Sequence, residues 1–166
     1  MDMLIPLYDK NLTTNLCPWG ELAELEKENI KVVRPLPGDH RKLLKHFDLV
    51  MKISPGWLSE LQVALTAQPV TCFIAVDMSK PESPYPVGFS CFDATAKGLI
   101  GPIAVDEEYR RRGIASAIVK RSLYAMSEMG YAYAVVGWVS SSEFYSKNFG
   151  AMPINNSDPG LYSRMT

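Results

Sequence analysis

The sequence predicts an α/β (α+β) fold: a mixed, mostly antiparallel central sheet with helices on both faces and one parallel βαβ unit. Three observations carry this expectation. VGFSCFDAT and GLIGPIAVD are apolar strands joined through the short Lys97-Gly98 connection, which suits an antiparallel pair. A long amphipathic helix from about Arg111 to Met129 then leads into the apolar strand YAYAVVGWV. Strand, helix and strand in that order make the flanking strands parallel with a right-handed crossover. Antiparallel strands, then a βαβ unit, then more strand do not form an alternating doubly wound sheet.

Residues 1–29 read as an N-terminal extension and residues 30–166 as the domain proper. Within the extension, MLIPLYD reads as an edge strand. Pro18 to Asn29 reads as a short helix with Leu22 and Leu25 on one side. IKVVR alternates as a strand does, and PLPGD turns, with Asp39 suited to cap the next helix. From His40 to Met51, the residues Leu43, Leu44, Phe47, Val50 and Met51 recur at helical spacing. Ser54-Pro55-Gly56 interrupts them, and Pro55 fits a new first turn. Trp57, Leu58, Leu61, Ala64 and Leu65 form a second amphipathic helix that stops before Pro69. VTCFIAVDM is a buried-type strand, and Ser79 to Pro86, with three prolines, is a loop. In the long helix Ile114, Ala115, Ile118, Val119, Ser122, Met126 and Met129 share one face, and Gly130 caps its end. Ser141 or Ser142 caps a short helix that ends at Phe149 and stops at Gly150. AMPIN and LYSRM read as a closing strand pair around the Asp158-Pro159-Gly160 turn.

Composition removes several function classes. The chain has 166 residues, 47% of them hydrophobic, enough for one globular domain with a real core. Seventeen basic residues against eighteen acidic ones leave a net charge of −1, so the domain has no overall footprint for nucleic acid. Three cysteines without CxxC spacing suit neither a disulfide framework nor a structural zinc site, and no metal site is expected. Cys72 and Cys91 lie in apolar runs and read as small buried hydrophobes. The N-terminus has no basic segment followed by a long apolar one, and no stretch approaches the ~20 apolar residues of a membrane span. A cytoplasmic protein without a membrane partner is the expectation. His40 and His46 belong to the first amphipathic helix and read as surface residues.

The segment that carries chemistry is VDEEYRRRGIA, residues 105–115. A strand ends, a polar turn follows, and Arg110-Arg111-Arg112-Gly113-Ile114-Ala115 opens a helix. The first helical turn has unpaired N–H groups and a positive dipole end, so it attracts anions. Gly113 and small Ala115 allow close approach to the backbone, and three arginines add charge. A phosphate or pyrophosphate site is one reading. A tight turn in which Gly113 serves only the backbone is the other. The segment is neither GxxxxGK[ST] nor GxGxxG.

RRRGIA resembles the R/Q-x-x-G-x-G/A signature of the GNAT superfamily of N-acetyltransferases. IAVD before it, a helix of matching length after it, and FYSKNFGA further on, similar to the family's FYxKxGF ending, extend the resemblance from about Ile30 to the C-terminus. The resemblance implies that the two strands flanking the long helix splay apart and that acetyl-CoA lies in the gap. It implies backbone amides of Arg111 to Ala115 on the pyrophosphate, with Arg110, Arg112 and the Ser116 hydroxyl nearby. Backbone groups of Ile103, Ala104 and Val105 would pair with the pantetheine arm. Gly101-Pro102 is a suitable bulge to part the strands, because proline removes a ladder donor.

The implied activity is acetyl transfer to a primary amine of a small-molecule or peptide acceptor, by direct attack through a tetrahedral intermediate. An N–H of Ile103 to Val105 would stabilise the oxyanion. Tyr145 stands where many relatives have the general acid for the thiolate. Phenol and thiol pKa values, about 10 and 8.5, are close enough for that transfer. The alternative for Tyr145 is packing on the sheet. Asp93 is the candidate base or amine-binding residue, with Glu143 a second carboxylate near Tyr145, and water relays can replace both. Asp106, Glu107 and Glu108 read as shaping the turn. Acceptor selection is expected from Ile53 to Leu58 and Asn155 to Tyr162. Trp57 and Trp138 read as core residues by default and as acceptor platforms by resemblance.

The sequence departs from the family pattern in two ways. The loop Val139 to Ser142 is short and lacks the Asn many relatives carry there. The first 29 residues exceed the minimal domain, and a sheet-edge cover, a homodimer contact and an acceptor-pocket wall are their candidate roles. Two competing readings remain at this level. One is a non-catalytic CoA or acyl-CoA sensor or structural module. The other is a nucleic-acid module using Arg110 to Arg112.

Overall fold

The computed structural model describes residues 1–8 and 16–164, so residues 9–15 of the expected extension and Met165 of LYSRM lie outside the described residues. The alternating segments become β1 Met3–Pro6, β2 Ile30–Val33, β3 Cys72–Asp77, β4 Tyr85–Phe92, β5 Leu99–Val105, β6 Tyr133–Val136 and β7 Met152–Pro153. They form one sheet in the order β2-β3-β4-β5-β6-β1-β7. The β5–β6 pair is parallel, and the other pairs are antiparallel. The helical segments become α1 Trp19–Lys27, α2 His40–Leu49, α3 Pro55–Thr66, α4 Ile114–Glu128 and α5 Ser142–Phe149.

Strand periodicity divides the core between the two faces. Phe73 and Ala75 of β3 face α4, where Phe73 packs with Val119, Leu123 and Met126, and Ala75 with Ile114 and Ile118. Cys72, Ile74 and Val76 face the other way, against Leu43 and Phe47 of α2 and Leu61, Ala64 and Leu65 of α3. Both faces are therefore buried, and β3 and β4 read as continuous apolar runs. Each fully buried Val, Leu, Ile, Phe or Met side chain among them contributes roughly 1.5–3 kcal/mol. α1 lies over α4, with Leu25 buried and Trp19 edge-on to Tyr124 at 5.3 Å. No helix among the described residues is long and apolar enough to cross a membrane.

Several expectations are corrected. The expected edge strand β1 lies between β6 and β7, pairing Met3 with Val136 on one side and with Pro153 on the other. Because β1 fills that place, residues 151–155 have no need of LYSRM as a partner, and Leu161–Arg164 coils as a short 3-10 turn. The long helix starts at Ile114 rather than Arg111, because Arg111 (φ 61°) and Gly113 (φ 79°) are left-handed. Asp39 does not cap α2 with its side chain; its carboxylate accepts the Leu36 N–H at 3.0 Å instead. His46 is half-buried rather than on the surface, with Nε2–H donating to the Pro86 carbonyl at 2.8 Å. Ser54 does cap α3, accepting the Trp57 N–H at 3.4 Å.

Candidate functional site

β5 and β6 pair only through Leu99↔Val135 and Ile100↔Val136. Beyond Ile100 the two strands part. On its other side β5 remains paired with β4, but between Ser90↔Ile103 and Phe92↔Ile100 it advances three residues against two. That extra residue is a β-bulge at Gly101-Pro102, where proline offers no N–H and Gly101 has φ 131°. The bulge turns β5 away from β6 and leaves backbone groups of Gly101 to Val105 facing a gap.

The gap opens into a cavity of about 890 Å³. Ile100 to Ile103 form one wall and Val136 to Ser140 the other. Asp2 fixes the second wall. Its buried carboxylate accepts the Trp138 N–H through Oδ1 and the Leu161 N–H through Oδ2, both at 3.0 Å. Trp138 is held in a left-handed conformation (φ 50°) and its ring tilts over Tyr162 at 5.7 Å. A Cβ at Gly160 would collide with the same carboxylate, so glycine is required there.

Tyr145 lines the cavity. α5 presents it on the α4 side of the sheet, edge-on to Phe144 at 5.1 Å and near Phe149. Burial raises its phenol above the usual value. Among the described residues its hydroxyl has no hydrogen-bond partner. Ile103 shares the cavity with Tyr145, whereas Ala104, Val105 and the signature lie outside its lining. The signature sits at the N-terminus of α4, beyond the C-terminal end of β5. Gly113 is exposed with open space where a side chain would be, and Ala115 and Ser116 are half-buried.

The three arginines differ. Arg112 pairs with Glu28 at 3.1 Å and lies over the Tyr109 ring. Arg110 donates to the Val105 carbonyl at 3.2 Å and sits 3.6 Å from Glu107. Arg111 is exposed and has no such partner among the described residues. Tyr109 anchors the turn by donating to Asp77 at 2.7 Å, and burial together with that bond raises its phenol. Asp106 shapes the turn as expected, accepting the Glu108 N–H at 3.0 Å.

Asp93 does not line the cavity. Its side chain is 2% exposed and accepts from the Tyr131 hydroxyl at 2.8 and 2.9 Å and the Gly98 N–H at 2.8 Å. It ties the β4–β5 connection to the segment before β6. Glu143 is exposed and also outside the lining. Trp57 and Trp138 are not core residues: they are 42% and 67% exposed, and both line the cavity.

Sequence reading missed Glu60. It lies on α3, half-buried in the cavity, where it reads as one more charge on an amphipathic helix. Its Oε1 accepts from Thr95 Oγ1 at 2.5 Å and from the Tyr162 hydroxyl at 3.3 Å. No local sequence pattern links positions 60, 95 and 162.

Residues 44–151 match the family model of the acetyltransferase (GNAT) family. Three solved structures are similar in fold. A GCN5-related glucosamine N-acetyltransferase region of a fungal multi-domain GH3 β-N-acetylglucosaminidase is 18% identical with a TM-score of 0.63, over 89% of this chain and 19% of that one. A GCN5-related N-acetyltransferase from Sphaerobacter thermophilus is 22% identical with a TM-score of 0.63, over 91% and 47%. A GNAT family acetyltransferase from Brucella melitensis, in complex with acetyl-CoA, is 15% identical with a TM-score of 0.51, over 71% and 80%. The chain thus spans about a fifth and about half the length of the first two. The curated proteins include no match to it.

Proposed function

The chain belongs to the acetyltransferase (GNAT) family, and from that premise we propose that it transfers an acetyl group from acetyl-CoA to a primary amine by direct attack. The observation that carries this reading is the end of β5–β6 pairing at Ile100↔Val136, with Tyr145 in the resulting cavity. Acetyl-CoA supplies an activated thioester carbonyl and a thiolate leaving group. This chain's residues do the rest.

The free backbone edge of β5 from Gly101 to Val105 binds and aligns the thioester arm as an added strand would. An N–H among Ile103 to Val105 stabilises the negative charge that develops on the carbonyl oxygen. The unpaired first-turn amides of Ile114, Ala115 and Ser116, with Arg111 beside them, bind the pyrophosphate. The open space at Gly113 fits that role, since the backbone there is accessible. Arg110 and Arg112 hold the turn through Glu107, the Val105 carbonyl and Glu28. Tyr145 donates its proton to the leaving thiolate. Its burial favours the neutral phenol, the form that can donate. Asp93 receives no base role, because Tyr131 and Gly98 occupy its oxygens, so water carries the proton away from the attacking amine and reprotonates Tyr145.

The test is calorimetric titration with acetyl-CoA, with free CoA as comparison, followed by thiol release over a panel of primary amines. Saturable binding and amine-dependent thiol release are expected. No binding at millimolar acetyl-CoA would end the enzymatic reading. Binding without turnover on any amine would favour the sensor reading.

A further inference from the structure

Glu60 is a carboxylate inside the cavity that the transfer chemistry does not use. Its two hydrogen bonds both fall on Oε1. Oε2 has no partner, and Glu60 has no ion pair, among the described residues. The cavity's other charged lining residue is Arg164, exposed and not paired with it. Trp57, Trp138 and Tyr162 line the same cavity, and Trp138 lies against the Tyr162 ring. A half-buried carboxylate with one free oxygen, in a cavity that aromatic side chains also line, is suited to an ammonium group.

Its position says which ammonium. Tyr145 packs with the cluster on the α4 face of the sheet, whereas α3, which carries Glu60, packs with the cluster on the opposite face. The cavity passes between the parted strands and reaches both sides. The reacting nitrogen must be neutral when it attacks, so a carboxylate that held it as ammonium would oppose the reaction. A carboxylate on the far face from the general acid can instead hold a second cation.

We propose that Glu60, set by Thr95 and Tyr162, binds a second, non-reacting ammonium of the acceptor, so that the acceptor class is a compact diamine or polyamine. This rests on the acetyl-transfer reading for the identity of the reacting end, but Glu60 binding is measurable without turnover.

The experiment titrates wild type and Glu60→Gln with α,ω-diaminoalkanes of three to six carbons and with the matching monoamines, with and without saturating CoA. At least one diamine binds wild type better than its monoamine. In Glu60→Gln that diamine weakens roughly 10- to 100-fold, as expected for a lost charge-assisted bond. The monoamine is unchanged, and so are CoA affinity and the melting temperature. Where turnover is seen, KM for the diamine rises and kcat holds. Glu60→Asp, which keeps the charge, recovers part of the preference. The proposal is overturned if no diamine outbinds its monoamine, if the preference survives Glu60→Gln, or if kcat falls equally for both kinds of amine, which would make Glu60 a base. Failure of CoA to bind while the diamine preference holds would instead count against the acetyl-transfer reading alone.

Discussion

Removing the Asp2 carboxylate should unfasten one wall of the cavity. In Asp2→Ala the backbone bonds remain: Asp2 N–H to Ser157 Oγ at 2.8 Å and Ile154 N–H to the Asp2 carbonyl at 2.9 Å. What is lost is the acceptor of two N–H groups, those of Trp138 and Leu161. Hydrogen bonds to a charged group contribute roughly 1.5–3 kcal/mol each, about 3–6 kcal/mol for two. Asp2 is only 8% exposed and has no cationic partner among the described residues, so its removal also relieves the burial of a charge. The net cost should be about 2–4 kcal/mol after that offset. For a chain of this size that corresponds to a melting temperature lower by roughly 5–15 °C. Urea unfolding of wild type, Asp2→Asn and Asp2→Ala is the assay. Asn keeps one acceptor oxygen and should fall between the other two. The acceptor KM should rise in Asp2→Ala, because Trp138 and Tyr162 lose their anchor, while acetyl-CoA affinity holds. A loss of under about 0.5 kcal/mol, the scale of an ordinary surface substitution, would refute the clamp.

Further outcomes follow from the same geometry. Tyr145→Phe should lower turnover about 100-fold, within the usual range for a general acid, and leave acetyl-CoA affinity within a factor of about three; equal turnover would remove the acid role. Gly113→Glu should abolish acetyl-CoA binding in calorimetry by setting a carboxylate at the anion site. Gly113→Ala, which adds only left-handed strain of about 1 kcal/mol, should bind nearly normally; tight binding by the Glu variant would sink the pyrophosphate assignment. Burial lowers His46 below its usual value of 6.5, outweighing the Pro86 bond and Asp106, which act the other way. The unfolded chain therefore takes up the proton first, and stability present above pH 6.5 is lost as pH falls through the folded pKa. Denaturant titrations from pH 7.5 to 5 should show that loss, and His46→Asn should flatten it.

What the sequence made legible was local. The apolar runs of β3 and β4, the period of α4 and the strand–helix–strand order are written in neighbouring residues, and they led to the mixed sheet. Gly101-Pro102 announced its bulge because proline cannot donate to a ladder. Tyr145 and Gly113 stood out through a family pattern. What stayed hidden depended on partners far along the chain. Nothing near Met3 says that it pairs with both Val136 and Pro153. Asp93 looked available until Tyr131, 38 residues away, claimed its oxygens. Glu60 looked like a solvated helix charge until Thr95 and Tyr162 converged on it. For Trp57 and Trp138 hydrophobicity alone points to the core and only the family resemblance to the acceptor side; the cavity is the apolar surface they line.

The interior position of β1 also sets an order of assembly. Met3 pairs with Val136, about 130 residues later in synthesis. At about 5–20 residues per second, the first strand waits on the order of ten seconds for its neighbours to exist. Pairing across such a span is non-local, and non-local pairing is slow because the loop must close before its contacts form. Until it closes, β6 presents a bare edge to other chains. The sheet seam beside the parted strands, and with it a finished cavity, thus waits on a contact between segments about 130 residues apart.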